Sequence, residues 1–267
     1  MTAPLAHGTV LTVKSGRVKE ARKLSRRSVR AGRRLFLADG PKAVAGALSV
    51  EGCVVEVFAT LAATEGHADL AAAAPAWTLV DERALGSLSD SVTPAGVVAV
   101  CRFLDVPLEE LGAAPRLVAV CADIRDPGNA GTVLRTADAA GADAVVLTGS
   151  SVDAYHPRTV RASVGSIFHL PIVVEPDPLV AVHALREAGL GILAADGAGE
   201  LDLYDAGEQL ARATAWLFGN EAWGLPAELA GAADHRVRIP IHGRAESLNL
   251  ATAAALCLYA SARAQRD

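Results

Sequence analysis

The sequence predicts an α/β protein in two parts, the second built on a mostly parallel sheet. Three observations carry this expectation. Short apolar runs of strand length alternate with helix-length segments along nearly all of the 267 residues. In the second half, runs such as LVAVCADI and DAVVLTG are apolar throughout, the mark of strands buried on both faces. Between the halves, Asp105 to Pro115 (DVPLEELGAAP) carries two prolines, several acids and no apolar period beyond one turn. We place the boundary there, giving domains 1–108 and 109–267.

The first block opens with basic side chains at 19, 22, 23, 26, 27 and 30. Their steps of three and four predict one helix over 19–30 with a cationic face, while Val18, Ala21 and Leu24 fall elsewhere and are expected in a core. RRLFLADG reads as a short strand ending in a turn, with Phe36 in the core. PKAVAGALS reads as a helix with Pro41 in its first turn. VVEVFAT is a strand and ADLAAAAPAW a weak helix. WTLVDERALGSLSD gives a strand and then a helix, and GVVAVCRFL closes the block as a strong β run. This order argues for a small α/β sandwich.

In the second block LVAVCADI is a buried strand and NAGTVLRTADAAGA a helix ended by Gly141. DAVVLTG is a strand, PRTVRASVGSIF a helix and LPIVV a strand. PLVAVHALREAGL is a helix, and GILAAD and TAWLFGN are strands. A short helix at PAELAG, the strand HRVRIPI and the final helix SLNLATAAALCLYASARA complete the chain.

With 51% hydrophobic and 21% charged residues, the chain is a folded one. The net charge of −5 gives no hint of a nucleic-acid partner, but its distribution does. Ten basic residues and one acid, Glu20, lie between Lys14 and Arg34, so this segment is +9 and the rest is −14. A basic footprint on an acidic body points to an anionic partner met at one place. Cys53, Cys101, Cys121 and Cys257 are far apart and form no CxxC or Cys/His zinc pattern. They are expected as small core residues in a reduced, cytoplasmic setting, and no metal is expected. The N-terminus lacks a basic region followed by an apolar one, so no leader is read there. Leu248 to Ala262 is too short for a membrane span and contains Asn249 and Thr252.

Three loops in the second block place polar residues directly after buried strands, where parallel α/β sheets hold their ligands. In DIRDPGNAGTVLR, Asn129 sits at the mouth of a helix and Arg135 lies about two turns on. Alone, these residues read as a helix N-cap and a solvated arginine. In LFGNEAWGLP, Gly219 and Gly224 flank Asn220 and Glu221 and let the backbone approach a ligand, although Glu221 alone is an ordinary loop acid. Trp223 is a lid or a core residue. In RIPIHGRAESLNLATAAA, Ser247 reads as the N-cap of the final helix and Asn249 as a first-turn residue with apolar neighbours. The turn DIRDPGNAG lacks the G-x-G spacing of dinucleotide folds, which disfavours ordinary Rossmann-type methyltransferases and NAD enzymes.

Taken in order, NxGxxxR, GNExxGLP and IPIxGxxESLNLAxAxA resemble the three signature motifs of the SpoU (TrmH-like) RNA ribose methyltransferases of the SPOUT superfamily. The stretch AYHPRTVRASVGSIFHLPIV is similar to the family's segment after its second strand, so the resemblance covers residues 115 to 263. The N-terminal half is similar to the substrate-binding domain of many of these enzymes, which resembles ribosomal proteins that bind RNA kink-turns.

The resemblance implies a deep trefoil knot threading residues 217–255, against the general rarity of knots. It implies S-adenosylmethionine held largely by backbone at Gly219, Ile239 and Leu248, with Leu217 and Ile241 close by. It makes Arg135 the catalytic residue, with Asn129 orienting Arg135 or the ribose and Glu221 fixing the geometry. Ser247 and Asn249 would complete the polar wall. RNA would meet Lys19, Arg22, Lys23, Arg26, Arg27, Arg30, Arg33 and Arg34. A homodimer through the catalytic domain is implied, and the docking domain favours ribosomal RNA over tRNA. The alternatives are a tRNA ribose methyltransferase, an enzyme that modifies a drug site on ribosomal RNA, and an inactive RNA-binding protein that keeps the knot.

Overall fold

The computed structural model describes residues 9–111 and 114–266. Residues 1–8, part of the stretch read as carrying no leader, residues 112–113 of the expected linker, and residue 267 lie outside the described residues. The chain forms two compact units. One holds the described residues up to Phe103 together with Tyr155–Arg161, and the other holds Leu104–Ala154 and the chain from Ala162 on.

In the first unit the helices are α1 (Gly16–Arg22), α2 (Arg27–Arg33), α3 (Pro41–Leu48), α4 (Leu61–Gly66), α5 (Ala68–Ala73) and α6 (Glu82–Gly86). Strands β1 (Leu35–Asp39), β2 (Val54–Ala59), β3 (Trp77–Leu79) and β4 (Val97–Arg102) stand in the order β1-β4-β2-β3. β4 runs antiparallel to β1 and β2, and β2 is parallel to β3. Val18, Ala21 and Leu24 enter the core beside Phe58, Leu85 and Val98, as their spacing predicts. Phe36 is buried, and Tyr155 stacks on Phe103 at 3.9 Å between ring centroids.

The single cationic helix expected over 19–30 is broken. α1 tightens into a 3₁₀ turn at Lys23–Ser25, Arg26 is extended at ψ 128°, and α2 then begins. A break strands carbonyls that a continuous helix would use. Here the Arg30 guanidinium donates to the carbonyls of Leu24 and Ser25, each at 2.8 Å, and Arg30 is only 1% exposed. Arg30 therefore pins the break from inside.

The second unit carries strands β5 (Leu117–Ala122), β6 (Ala144–Thr148), β7 (Ile172–Glu175), β8 (Gly191–Ala195), β9 (Leu201–Asp202), β10 (Thr214–Phe218) and β11 (His235–Arg238). Their order is β7-β6-β5-β10-β8-β11-β9, and every pairing is parallel. All residues of β5, β6 and β10 are buried, as wholly apolar runs demand of strands covered on both faces. The helices are α7 (Pro127–Ala140), α8 (Pro157–Ser163, whose first residues belong to the first unit), α9 (Pro178–Glu187), α10 (Gly207–Ala211), α11 (Ala227–Gly231) and α12 (Leu250–Ala264). The helix expected over PRTVRASVGSIF stops at Ser163, because Val164 and Gly165 both take positive φ, 52° and 100°. Gly141 ends α7 at φ 76° in the left-handed conformation.

α12 packs on α7, β5 and β10, and the buried Trp216 indole donates to Ser261 at 2.8 Å. β11 lies beyond β8 in the sheet, so residues 239–249 return over the carboxyl ends of β8 and β10 to reach α12. This return brings the third polar loop onto the first two.

Candidate active site

A cavity of about 540 Å³ opens at the carboxyl ends of β8, β10 and β11. Phe218, Val237, Ile239, Ile241 and Leu248 form its apolar wall, while Asn129, Asp196, Asn220, Glu221, Ser247 and Asn249 supply polar groups.

Each loop is fixed before it reaches the cavity. Asp126, rather than Asn129, caps α7: its carboxylate accepts from the Asn129 amide at 2.8 Å. The Asn129 side chain is thereby free to act elsewhere. Asn249, rather than Ser247, caps α12, its oxygen accepting from the amides of Ala251 and Thr252 at 2.9 and 3.3 Å. Ser247 lies before the helix and lines the cavity. Asn220 is buried; its carboxamide donates to the carbonyl of Asp123 at 2.7 Å and accepts from Ala222 at 2.8 Å. Asp123 holds an unfavourable positive φ of 58° under that clamp. Gly219 is needed for close approach, because a Cβ there would sit 2.3 Å from the backbone carbon of Gly224.

One hydrogen-bonded relay joins the three loops. The Asn249 amide donates to Asn129 Oδ1 at 3.0 Å, and Asn129 Nδ2 donates to Glu221 Oε1 at 3.1 Å. Glu221 also accepts from the backbone amides of Arg125 and Asp126, both at 3.1 Å. The direction is dictated from both ends. The Asn249 oxygen is committed to the start of α12, and an ionised carboxylate can only accept. Partial burial opposes ionisation of Glu221, but its donors, Asn129 first, outweigh burial and hold its pKa below the ordinary glutamate range.

Of the residues singled out in the sequence, Asn129, Gly219, Glu221, Ile239, Ile241, Ser247, Leu248 and Asn249 line this cavity. Leu217 does not; its side chain is wholly buried in the core one residue below. Arg135 is exposed on α7, outside the lining, and its guanidinium makes no hydrogen bond or ion pair with other described residues. Asn129 points to Glu221 and Asn249 rather than to Arg135. Asp196 and Gly197, which the motifs did not mark, lie in the turn after β8 and complete one side. Their signal was an Asp-Gly turn directly after the apolar run GILAA.

In the first unit Lys19, Arg22, Lys23, Ser25 and Arg26 line a separate hollow of about 440 Å³. Glu20 bonds Lys23 at 2.6 Å and Arg33 at 2.5 Å, which lowers its pKa to about 2. Arg34 lies 5.1 Å over the Phe103 ring. The four cysteines are buried free thiols, and no described helix is long and apolar enough to cross a membrane.

Comparison with known proteins agrees with this geometry. The model of the SpoU rRNA Methylase family matches residues 116–259, and that of the MRM3-like substrate binding domain matches residues 16–99. The chain is 34% identical over 251 residues to the 23S rRNA (guanosine(2553)-2′-O)-methyltransferase RlmP of Bacillus subtilis, covering 93% of this chain and 96% of that protein. It is similar to the AdoMet-bound rRNA methyltransferase from Sinorhizobium meliloti, with TM-score 0.83, 32% identity, and 96% and 98% of the two chains covered. It is also similar to AviRb from Streptomyces viridochromogenes in complex with AdoMet, with TM-score 0.85, 29% identity, and 94% and 98% covered. With the three motif loops converging on one cavity and a family model spanning most of the second unit, the chain belongs to the SpoU rRNA methylase family.

Proposed function

We propose that this chain is an enzyme that transfers the methyl group of S-adenosylmethionine to a ribose 2′-hydroxyl of 23S ribosomal RNA. The relay from Asn249 through Asn129 to Glu221 carries this reading, because it ties three loops around one cavity. The cavity suits the cofactor. Its volume is that of a small-molecule site, and its apolar wall suits a flat adenine. Backbone at Gly219, Ile239 and Leu248, flanked by Ile241, would hold the cofactor. Once bound, it supplies a methyl already activated by the sulfonium.

The protein must then place the 2′-oxygen in line with that methyl and ease loss of its proton. Arg135 is assigned to the oxygen and its neighbouring phosphate. A guanidinium stays protonated, so Arg135 steadies a developing alkoxide rather than accepting the proton. Glu221 and Asn129 act by fixing loop geometry, and Ser247 and Asn249 add polar wall.

Residues 1–108 are read as the RNA-docking domain, with Lys19, Arg22, Lys23, Arg26 and Arg27 on phosphates and Arg33 and Arg34 at the margin; residues 109–267 are the catalytic domain. Separate family models before and after residues 99–116 support that division. We also read residues 217–255 as the threaded part of a trefoil knot, supported by the return of residues 239–249 over β8 and β10. A homodimer through the catalytic domain is supported by exposed Leu256 and Tyr259 on α12, the helix packed on α7 that carries Arg135.

The test is labelled S-adenosylmethionine with protein-free 23S rRNA and with tRNA. Label is expected in the ribosomal RNA, at alkali-resistant linkages that mark ribose methylation. Label in tRNA alone, or in neither, refutes the reading. Arg135→Ala should lower turnover at least about 100-fold while cofactor affinity stays within a few-fold; near-normal turnover would remove Arg135 from the mechanism.

A further inference from the structure

We propose that Asp196 is a specificity residue that sets the preference of the cavity for the positively charged methyl donor over its uncharged-sulfur product. The proposal rests on the cofactor reading above. Among the described residues, the cavity lining contains three carboxylates, Asp196, Glu221 and Glu246, and no Lys, Arg or His. Glu221 is spent: both its oxygens accept hydrogen bonds within the relay. Glu246 is exposed, where water and salt screen it. Asp196 is different. It is half-buried at the carboxyl end of β8, and its amide donates to the carbonyl of Val237 at 3.0 Å. One carboxylate oxygen accepts from Ala198 at 2.9 Å, and the other makes no hydrogen bond with another described residue. A half-buried carboxylate with one oxygen uncommitted among the described residues thus lines the cavity beside its apolar wall.

S-Adenosylmethionine and S-adenosylhomocysteine share the adenosine and the amino-acid end. They differ at sulfur, which is a sulfonium in the donor and a neutral thioether in the product. Apolar contacts and backbone hydrogen bonds treat the shared parts alike, so they cannot separate the two. A carboxylate can, and methyl transfer itself removes the charge that Asp196 attracts. The product is then held less tightly than the donor, which favours exchange after each turnover.

The experiment is calorimetry of both ligands on the full-length protein. Asp196→Asn keeps an oxygen for the Ala198 amide, so the turn is retained, and an unchanged melting temperature checks this. Donor affinity is expected to fall about tenfold, the scale of one charge pair in a partly screened site, while product affinity changes less than about threefold. Sinefungin, which carries a protonated amine in place of the sulfonium methyl, should follow the donor. In the unaltered protein the donor-to-product ratio should narrow as salt rises. Glu246→Gln should alter the ratio less than about twofold. Equal losses for donor and product, an unchanged ratio, or a larger effect from Glu246→Gln would each overturn the role of Asp196. An unaltered protein that binds neither ligand would instead overturn the cofactor reading.

Discussion

Asn249→Asp separates helix capping from the relay. Asparagine and aspartate are equally good N-caps, and the charge of aspartate at a helix N-terminus adds about 0.3–1 kcal/mol of stability. If Asn249 only capped α12, the substitution would be neutral or stabilising. The relay gives the opposite sign. The new side chain would still accept from Ala251 and Thr252, but its second oxygen would meet Asn129 Oδ1, 3.0 Å from the present amide nitrogen. Flipping the Asn129 carboxamide removes that clash and creates another, with oxygen against Glu221 Oε1 across 3.1 Å. One hydrogen bond becomes a repulsion in either case, and two carboxylates face each other through one amide. The loss is about 1–3 kcal/mol, partly offset by the helix-terminus gain. A net cost of about 1–2 kcal/mol corresponds to a melting temperature lower by about 3–6 °C for a unit of this size. Differential scanning calorimetry measures this, and calorimetric titration should show weaker cofactor binding in the same variant. Melting at or above the temperature of the unaltered protein, with normal cofactor affinity, would refute the relay.

Gly219→Ala would place a methyl against backbone atoms of Gly224 and Leu225 at 2.3 and 2.4 Å, so it should cost more than about 3 kcal/mol and abolish cofactor binding. Gly243→Ala in the neighbouring loop meets nothing within 4 Å and should melt within about 2 °C of the unaltered protein. Arg30→Ala orphans two carbonyls at the α1–α2 break and should destabilise the first unit by about 2–3 kcal/mol in chemical denaturation. Arg27→Ala should leave stability unchanged and flatten the salt dependence of RNA binding by about one unit of slope.

Much of the second unit was legible because its strands are wholly apolar and its helices carry their own stops. β5, β6 and β10 are buried on both faces, and their sequences contain no polar residue before the final threonine of β6 and the first of β10. What failed were short or charge-patterned pieces. α10 and β9 span five and two residues, too few for a period to register. The basic run over 19–30 has helical spacing throughout. Periodicity alone does not show that Arg30 turns inward to satisfy two carbonyls.

At the site, the motifs named most of the lining residues, and the tertiary structure decided their contacts. The sequence by itself determined the family, the parallel sheet and which three loops carry polar groups, because strand order, glycine placement and motif spacing are local properties of the chain. It read Asn129 and Ser247 as the caps of their helices. Only the folded chain decided that Asp126 and Asn249 cap the helices, that Asn129 bridges Glu221 and Asn249, and that Asp196 joins the lining. The caps are local, but several polar residues at each helix start compete for them; the Asn129 bridge joins residues 92 and 120 positions apart, and local pattern carries no information about distance in space.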